Sequence, residues 1–453
     1  MLVVLAASPV HAQWAVTRAD AERAALSAGT RVALARADTA AAIARLLTAR
    51  ALPNPTLAAS YTKSTPQKHL TIDIPVFDAL WKRGLVLGQA NASARASRLL
   101  FASERIAALM EVDTTYTRAL AAEARFRLSR QTARDADSLR KMTISRRDAG
   151  DASDLDVDLA TVVAGQQLNV TAGDSLSAMS ALLTVQTLMG IPADSVAIVL
   201  ADSLGLTSRD TLVERRVLDS GGVLINVPPA LTTSPITLPS ATPTTARTGN
   251  PAPSAGSALT TPQATIAGGA SQATGVATTP SVAAAEASLR AADLTLALQK
   301  RSVFSLPSLT FGAEWGDPSG AEPGLLPIVG LAVPLPLFNR NGGPIAEATA
   351  ERERARIQLL AVRLSARQRL IEGVRERDAL LVKVARDRDL VVRAQRVADR
   401  SLTAYREGAA GLPAVLEARR SAREVLGQYI DDLAALLTIN TELRALTQTA
   451  PVP

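Results

Sequence analysis

Asn54-Pro55-Thr56-Leu57 opens one long stretch of this chain and Leu306-Pro307-Ser308-Leu309 opens another, and both carry the same signals in the same order. The first runs through short alternating segments to Ile74-Pro75-Val76-Phe77, then Lys82-Arg83-Gly84, a very long polar–apolar segment and the turn Asp148-Ala149-Gly150-Asp151. The second runs through alternating segments to Val333-Pro334-Leu335-Pro336-Leu337-Phe338, then Asn339-Arg340-Asn341-Gly342, a long segment and the turn Tyr405-Arg406-Glu407-Gly408. Pro307 minus Pro55 is 252, whereas Gly342 minus Gly84 and Gly408 minus Gly150 are both 258. The offset therefore holds across the long segment, and the six extra residues fall where a hairpin loop belongs. Self-similarity at a fixed offset means that each half builds half of one object.

The alternating segments predict four strands. Over residues 56–63, Leu57, Ala59 and Tyr61 share one face and Thr56, Ala58, Ser60 and Thr62 the other; over 69–77, Leu70, Ile72, Ile74 and Val76 oppose Thr71 and Asp73. The polar run 63–68 between them reads as a hairpin loop. In the second copy Leu309, Phe311, Ala313 and Trp315 alternate with Ser308, Thr310, Gly312 and Glu314, and Val329, Leu331, Val333 and Leu335 with Gly330 and Ala332. Four strands with one apolar face match the pattern of transmembrane β-strands; an ordinary half-buried antiparallel sheet alternates in the same way. Seven of the thirteen aromatics (Tyr61, Phe77, Trp81, Phe304, Phe311, Trp315, Phe338) lie in or beside these strands, as an interfacial girdle requires.

Residues 84–147 and 342–405 predict two helices of 64 residues each, interrupted only by Pro344 in a first turn, where proline is tolerated. Each would be roughly 95 Å long, so each needs partners along its length. In the second, Leu360, Leu364, Ile371, Val374, Leu381, Ala385 and Val392 fall on alternating three- and four-residue steps, the spacing of a coiled-coil seam. Residues 154–189 and 413–446 predict return helices, with Gly150 and Gly408 as left-handed C-caps and Ser153 as an N-cap. Residues 14–50 and 281–301 predict the helix that opens each copy, and 196–218 is ambiguous short structure.

The chain divides into a signal-peptide remnant (1–12), a first repeat (13–220), a low-complexity linker (221–280) and a second repeat (281–449). The apolar N-terminus ends Val10-His11-Ala12, whose small −3 and −1 residues fit cleavage after Ala12 although the charged n-region is missing; a buried first strand is the alternative. From Pro228 to Pro280 the linker is Thr, Ser, Pro, Ala and Gly with Arg247 its only charge, too little apolar surface to offset ordering.

Composition narrows the function classes. Of 453 residues only 3% are aromatic, and the dominance of Ala, Leu and Arg favours long helices over a compact enzyme core. The net charge of +7 comes mostly from Arg dispersed along helices, so no nucleic-acid site is expected. The absence of Cys excludes disulfides, thiolate metal sites, a Cys nucleophile and a lipidated N-terminal Cys. Beyond the signal the one histidine is His69, read as a surface residue; no GxSxG, Walker A or paired-His motif is present, so no enzyme and no cofactor is expected. Metal ions, if they are the cargo, pass without tight binding. No run approaches the roughly 18 apolar residues of a spanning helix, so a membrane can be crossed only as a β-barrel. One chain supplies four strands where a closed membrane barrel needs about eight or more. An oligomer whose strands close a barrel and whose helices close a tube meets both needs.

Helix, Pro-terminated entry, β-hairpin, long helix, Gly turn and return helix, all duplicated, resembles the TolC-type outer-membrane efflux factor family. The resemblance is carried by Leu52-Pro53-Asn54-Pro55-Thr56-Leu57, by residues Gly150-Asp151-Ala152-Ser153-Asp154-Leu155-Asp156-Val157, by the run from Val333 through Asn339-Arg340-Asn341-Gly342-Gly343, and by Tyr405-Arg406-Glu407-Gly408. The wording Pro-Leu-Pro-Leu-Phe-Asn-Arg-Asn-Gly is similar to the cobalt–zinc–cadmium resistance branch. The resemblance implies a mainly α protein with a small β part: a homotrimer with a shared twelve-strand barrel in outer-membrane lipid and a periplasmic α-barrel. It also implies a periplasmic adaptor and an inner-membrane efflux pump as partners. The alternative, a periplasmic adaptor, carries a single coiled-coil hairpin. Adaptor docking falls on the tips, Gly150, Asp151, Ser153, Leu155, Glu407, Gly408, Leu412 and Pro413. A pore constriction falls on Asp156, Asp158 and Glu417, where carboxylates ringing an axis attract cations; the plainer reading is acids favoured at a helix N-terminus, with Asp156 in a capping box with Ser153.

Overall fold

The computed structural model describes residues 14–63, 67–192, 198–205, 279–304, 306–316, 324–333 and 339–447. The signal segment, nearly all of the low-complexity linker, the hairpin-loop residues 64–66 and the proline-rich 334–338 lie outside the described residues.

The opening segment is not one helix. It begins with strand β1 (Trp14–Val16), and Thr17 then forms a capping box with Asp20 that starts α1 (Arg18–Ala28). Gly29 separates α1 from α2 (Thr30–Arg50). Thr-x-x-Asp is a start signal and Gly a breaker, and both lie inside a periodic Ala/Arg stretch that reads as continuous. Strand β2 (Thr56–Tyr61) and strand β3 (Lys68–Ile74) precede α3 (Val76–Asp148), a helix of 73 residues. It starts at Val76, directly after Pro75, so Lys82-Arg83-Gly84 lies within it. Arg83 Nη2 donates to Arg50 O at 3.3 Å, capping the end of α2, and the Arg301 guanidinium stacks 4.7 Å from the Trp81 ring centroid. Contacts to both opening helices thus hold these early turns.

Helix α4 (Asp154–Leu188) returns, and β4 (Ile198–Leu200) pairs in parallel with β1. The second copy is α5 (Pro280–Arg301), β5 (Ser308–Trp315), β6 (Leu326–Ala332), α6 (Gly342–Arg406) and α7 (Leu412–Thr447). Helix α5 begins at Pro280 with Thr279 buried beside it, one residue before the expected repeat boundary.

Helices α2 and α5 both pack on α3 through small residues: Leu46 on Ala90 and Ala94, and Ala284 and Ala287 on Ala96 and Leu99. A buried cluster joins β1, α1, α3, the end of α4 and β4 around Tyr116 and Met189. The Tyr116 hydroxyl lies 2.8 Å from Val16 O and 2.9 Å from Asp202 Oδ2, and burial beside that carboxylate pushes its pKa far above the usual phenol value. Asp113 of α3 pairs with Arg18 and accepts from Thr441 Oγ1 of α7 at 2.6 Å, tying the two repeats together.

The four main strands form one antiparallel sheet in the order β2-β3-β5-β6. Opposite residues share a face, so Leu57, Ile72, Phe311 and Val329 form one row and Thr56, Asp73, Thr310 and Gly330 a row on the other side. Thr310 Oγ1 donates to Asp73 Oδ1 at 3.1 Å across the β3–β5 seam. The apolar face lies on no core: Leu57 is 67% and Val329 74% exposed. That separates this sheet from a half-buried soluble one.

The seam of α6 also differs from expectation. It buries Leu359, Ala366, Gly373, part of Leu380, and Asp387, a strict seven-residue repeat; Gly373 faces Leu443 and Ile439 of α7, and Leu380 packs there with Val374 of the expected seam. The Leu360–Leu364–Ile371–Leu381–Val392 stripe is a second face, exposed on the single chain. Helix α4 carries another in Leu155, Val162, Leu168, Leu176 and Met179. A helix with two apolar faces pairs on two sides, and only one partner comes from its own chain.

Candidate functional site

Both long helices end in the same way, far from the sheet. Asp151 N donates to Arg146 O at 2.8 Å and Gly150 N to Arg147 O at 2.9 Å; Ala409 N donates to Ala404 O at 2.8 Å and Gly408 N to Tyr405 O at 3.1 Å. These are Schellman motifs, which need a left-handed residue at the turn, and Gly150 (φ +85) and Gly408 (φ +77) supply it.

The first tip is exposed. Gly150, Asp151 and Ser153 lie on the surface and Leu155 is 67% exposed, an isolated aliphatic side chain in water. Ser153 Oγ accepts from Asp156 N at 3.2 Å, while Asp156 Oδ2 accepts from Ser153 N at 3.2 Å and from Ser153 Oγ at 2.8 Å. Asp156 therefore sits in a complete capping box, and Asp158, two residues on, is exposed. Arg147 holds Asp148 at 2.6 Å and reaches Asp154 at 3.8 Å, so cationic and anionic groups alternate around this rim.

The second tip is built differently. Glu407, Gly408 and Pro413 are exposed, whereas Leu412 is buried, 1% exposed. Its side chain fills the space between the hairpins with Leu139, Ala160, Tyr405 and Val415, as an aliphatic group beside a buried aromatic ring does. Glu417 lies on α7 one turn above and is held by Arg420 at 2.8 Å. That hydrogen bond keeps its carboxyl below the usual range, and the same guanidinium also holds Glu424 at 3.0 Å.

Tyr405 joins the two tips. It is 4% exposed, its hydroxyl is 3.2 Å from Thr143 Oγ1 of α3, Arg146 of α3 hydrogen-bonds its carbonyl, and the Arg146 guanidinium lies 4.6 Å from its ring centroid. The turn motif Tyr405-Arg406-Glu407-Gly408 is visible in the sequence, but the burial of its tyrosine is not. The signal was the repeat itself: the position matching Tyr405 in the first copy is Arg147, so only one tip carries an aromatic there.

Above the tips the two hairpins diverge around a cavity of about 690 Å³. Leu128, Val163 and Leu416 give it apolar walls, and Gln131, Arg419 and Arg423 line its polar side. Arg423 Nη1 donates to Gln167 Oε1 at 2.5 Å across it, whereas Arg419 Nη1 is buried 4.0 Å from Asp135 with no hydrogen-bond acceptor. Dispersed charges on four helices gave no linear motif for it.

No family model and no curated relative matches the sequence. Solved structures do match the fold. The outer membrane protein VceC of Vibrio cholerae is 16% identical with a TM-score of 0.67, over 96% of this chain and 97% of that one. A membrane protein from Pseudomonas aeruginosa is 18% identical with a TM-score of 0.65, over 95% and 93%. The open state of the MtrE outer membrane channel of Neisseria gonorrhoeae is 13% identical with a TM-score of 0.59, over 95% and 88%. The likeness runs through both repeats and the sheet, so the whole architecture is shared and not one hairpin alone.

Proposed function

We propose that this chain, which has the fold of the TolC-type outer-membrane channels, is the exit duct of a tripartite efflux system. Three copies close the structure, each giving four strands to a barrel in the outer membrane and two helical hairpins to a periplasmic tube. The observation that carries this reading is the sheet: its apolar face is exposed, and among the described residues both edge strands, β2 and β6, are open. Open edges demand more strands, and an exposed apolar face demands lipid or a partner. The exposed stripes on α4 and α6 ask for neighbouring helices in the same way. Two hairpins at a fixed offset argue against the adaptor alternative, which has one.

In this reading the tips face a periplasmic adaptor that joins the duct to an inner-membrane pump. The docking surface comprises Gly150, Asp151, Ser153, Leu155, Glu407, Gly408 and Pro413, with Leu412 supporting it from beneath. Asp156, Asp158 and Glu417 crowd the narrow end, and Asp158 is the acid of the three that neither a cap nor an arginine engages in the chain's own hydrogen bonds and ion pairs as described. Fractionation and the mass of the detergent-solubilised particle test the reading. A trimer in the outer-membrane fraction with heat-modifiable migration is expected; recovery as a soluble monomer refutes it.

A further inference from the structure

Asp387 stands where a coiled-coil helix ordinarily buries an aliphatic side chain, at the end of the seven-residue series through Leu359, Ala366 and Gly373. Asp432 of α7 faces it, and the two carboxyl groups are within hydrogen-bonding reach of each other. Each residue is only 5% exposed. Lys383 Nζ donates to Asp432 Oδ1 at 2.6 Å and Gln428 Nε2 to the same atom at 3.0 Å. The Oδ2 atoms of both acids are buried with no donor.

Other charges near the pair are few. On α6, Arg386 Nε lies 3.7 Å from Asp387 Oδ1 on a largely solvated side chain. On α7 the next acid, Asp431, is engaged by Arg125 of α3, and among the described residues the ion pairs of Asp387 and Asp432 are those with Arg386 and Lys383. Two buried anions facing one another with one close ammonium leave a surplus negative charge in a poorly solvated place. A single proton removes that surplus and gives one orphaned oxygen a donor.

We propose that Asp387 and Asp432 form a one-proton site, with the proton held on Asp387, whose deprotonation loosens the α6–α7 hairpin and leaves the α3–α4 hairpin unaffected. Shifting by the repeat offset of 258 puts Ser129 at the position of Asp387 and Asp174 at that of Asp432. Ser129 is buried and its hydroxyl donates to Phe126 O at 3.1 Å, so the first copy has no second acid there.

The electrostatics agree with this placement of the proton. Burial, then the hydrogen bond and charge of Asp432, push the Asp387 carboxyl up, against Arg386 and Lys383. Burial also pushes Asp432 up, but hydrogen bonds with Lys383, Asp387 and Gln428 outweigh it and hold Asp432 low. A carboxyl raised in the packed state binds more protons packed than open. Its contribution is full at acidic pH and is lost as pH rises through the raised value. Asp432 behaves oppositely, losing its contribution only as pH falls through its lowered value.

The test uses the full-length protein as assembled in detergent. Just above the ordinary carboxyl range of pH, the infrared spectrum should contain a protonated-carboxyl C=O band that Asp387→Asn removes. Amide exchange over residues 380–390, corrected for its intrinsic pH dependence, should accelerate with pH. Within the window above the ordinary carboxyl range the opening equilibrium shifts up to about tenfold per pH unit. That extra dependence should vanish in Asp387→Asn and in Asp387→Ser, which copies the first repeat, and should be absent over residues 122–132 of α3 in every variant. An acid band unchanged by Asp387→Asn overturns the proposal, as does a pH profile common to wild type and both variants or one shared by α3.

Discussion

Truncating Tyr405 should unfasten the tips without dismantling the molecule. The ring is 4% exposed among Leu139, Leu412 and Val415. Removing a buried aromatic ring leaves a cavity and loses about 3–5 kcal/mol. Tyr405→Ala also loses the cation–π contact with Arg146, roughly 0.5–2 kcal/mol, but keeps the backbone carbonyl that Arg146 binds. Tyr405→Phe loses only the hydroxyl bond to Thr143, about 1 kcal/mol, because Thr143 still donates to Leu139 O at 2.9 Å. At about 1.4 kcal/mol per tenfold, Tyr405→Phe should raise local opening a few-fold and Tyr405→Ala more than a hundredfold. Amide exchange over residues 139–150 and 402–412 reads this in the assembled protein, while exchange around Tyr116 should not change. Tyr405→Ala exchanging like wild type refutes the reasoning. Equal effects of the two substitutions would place the stabilisation in the hydroxyl and not in the ring.

Gly150→Val and Gly408→Val force a β-branched residue into left-handed backbone, a strain of about 1–2 kcal/mol or more each; lost efflux with the trimer intact is expected, and undiminished crosslinking to the adaptor argues against tip docking. Excising residues 228–278 with a short flexible spacer should leave assembly intact, since the segment has little apolar surface to bury; the cut stops short of Thr279 because that residue is buried at the start of α5, and loss of the trimer on a gel or in light scattering would assign the linker a structural role. Ser153→Ala should lower stability by about 0.5–2 kcal/mol through the cap; Asp156→Asn should change planar-bilayer cation selectivity little, whereas Asp158→Asn should reduce it, and equal selectivity in wild type and Asp158→Asn removes that acid from the pore.

Periodicity decides more in this chain than any motif does. The strands were legible because alternation survives single substitutions, and the hairpins because a 258-residue offset persists through both turns. Boundaries were less legible where a local signal competes with a long pattern. Thr17–Asp20 and Gly29 break the opening segment, and Pro75 rather than Gly84 starts α3. At the site, the caps at Gly150 and Gly408 follow from glycine chemistry and the Ser153–Asp156 box from spacing. Leu412 and Tyr405 do not, because their burial depends on the other hairpin, more than 250 residues away in sequence. Asp387 and Asp432 read as solvated acids on charged helices until the register of α6 on α7 is known.

The middle of the sheet is the pairing of β3 with β5, and Asp73 and Thr310, bonded across it, are 237 residues apart. The first β-hairpin emerges during synthesis long before its central neighbour exists. Until the second half has folded back, β3 presents one free edge and the hairpin one greasy side, the combination that invites aggregation. Topologies closed by such distant contacts fold slowly, yet lengthening the intervening chain adds little, since closure entropy grows only logarithmically with loop size. The duplication therefore sets an expected order of events: hairpins form locally and early, and the β3–β5 pairing comes last, when both halves of the chain are present.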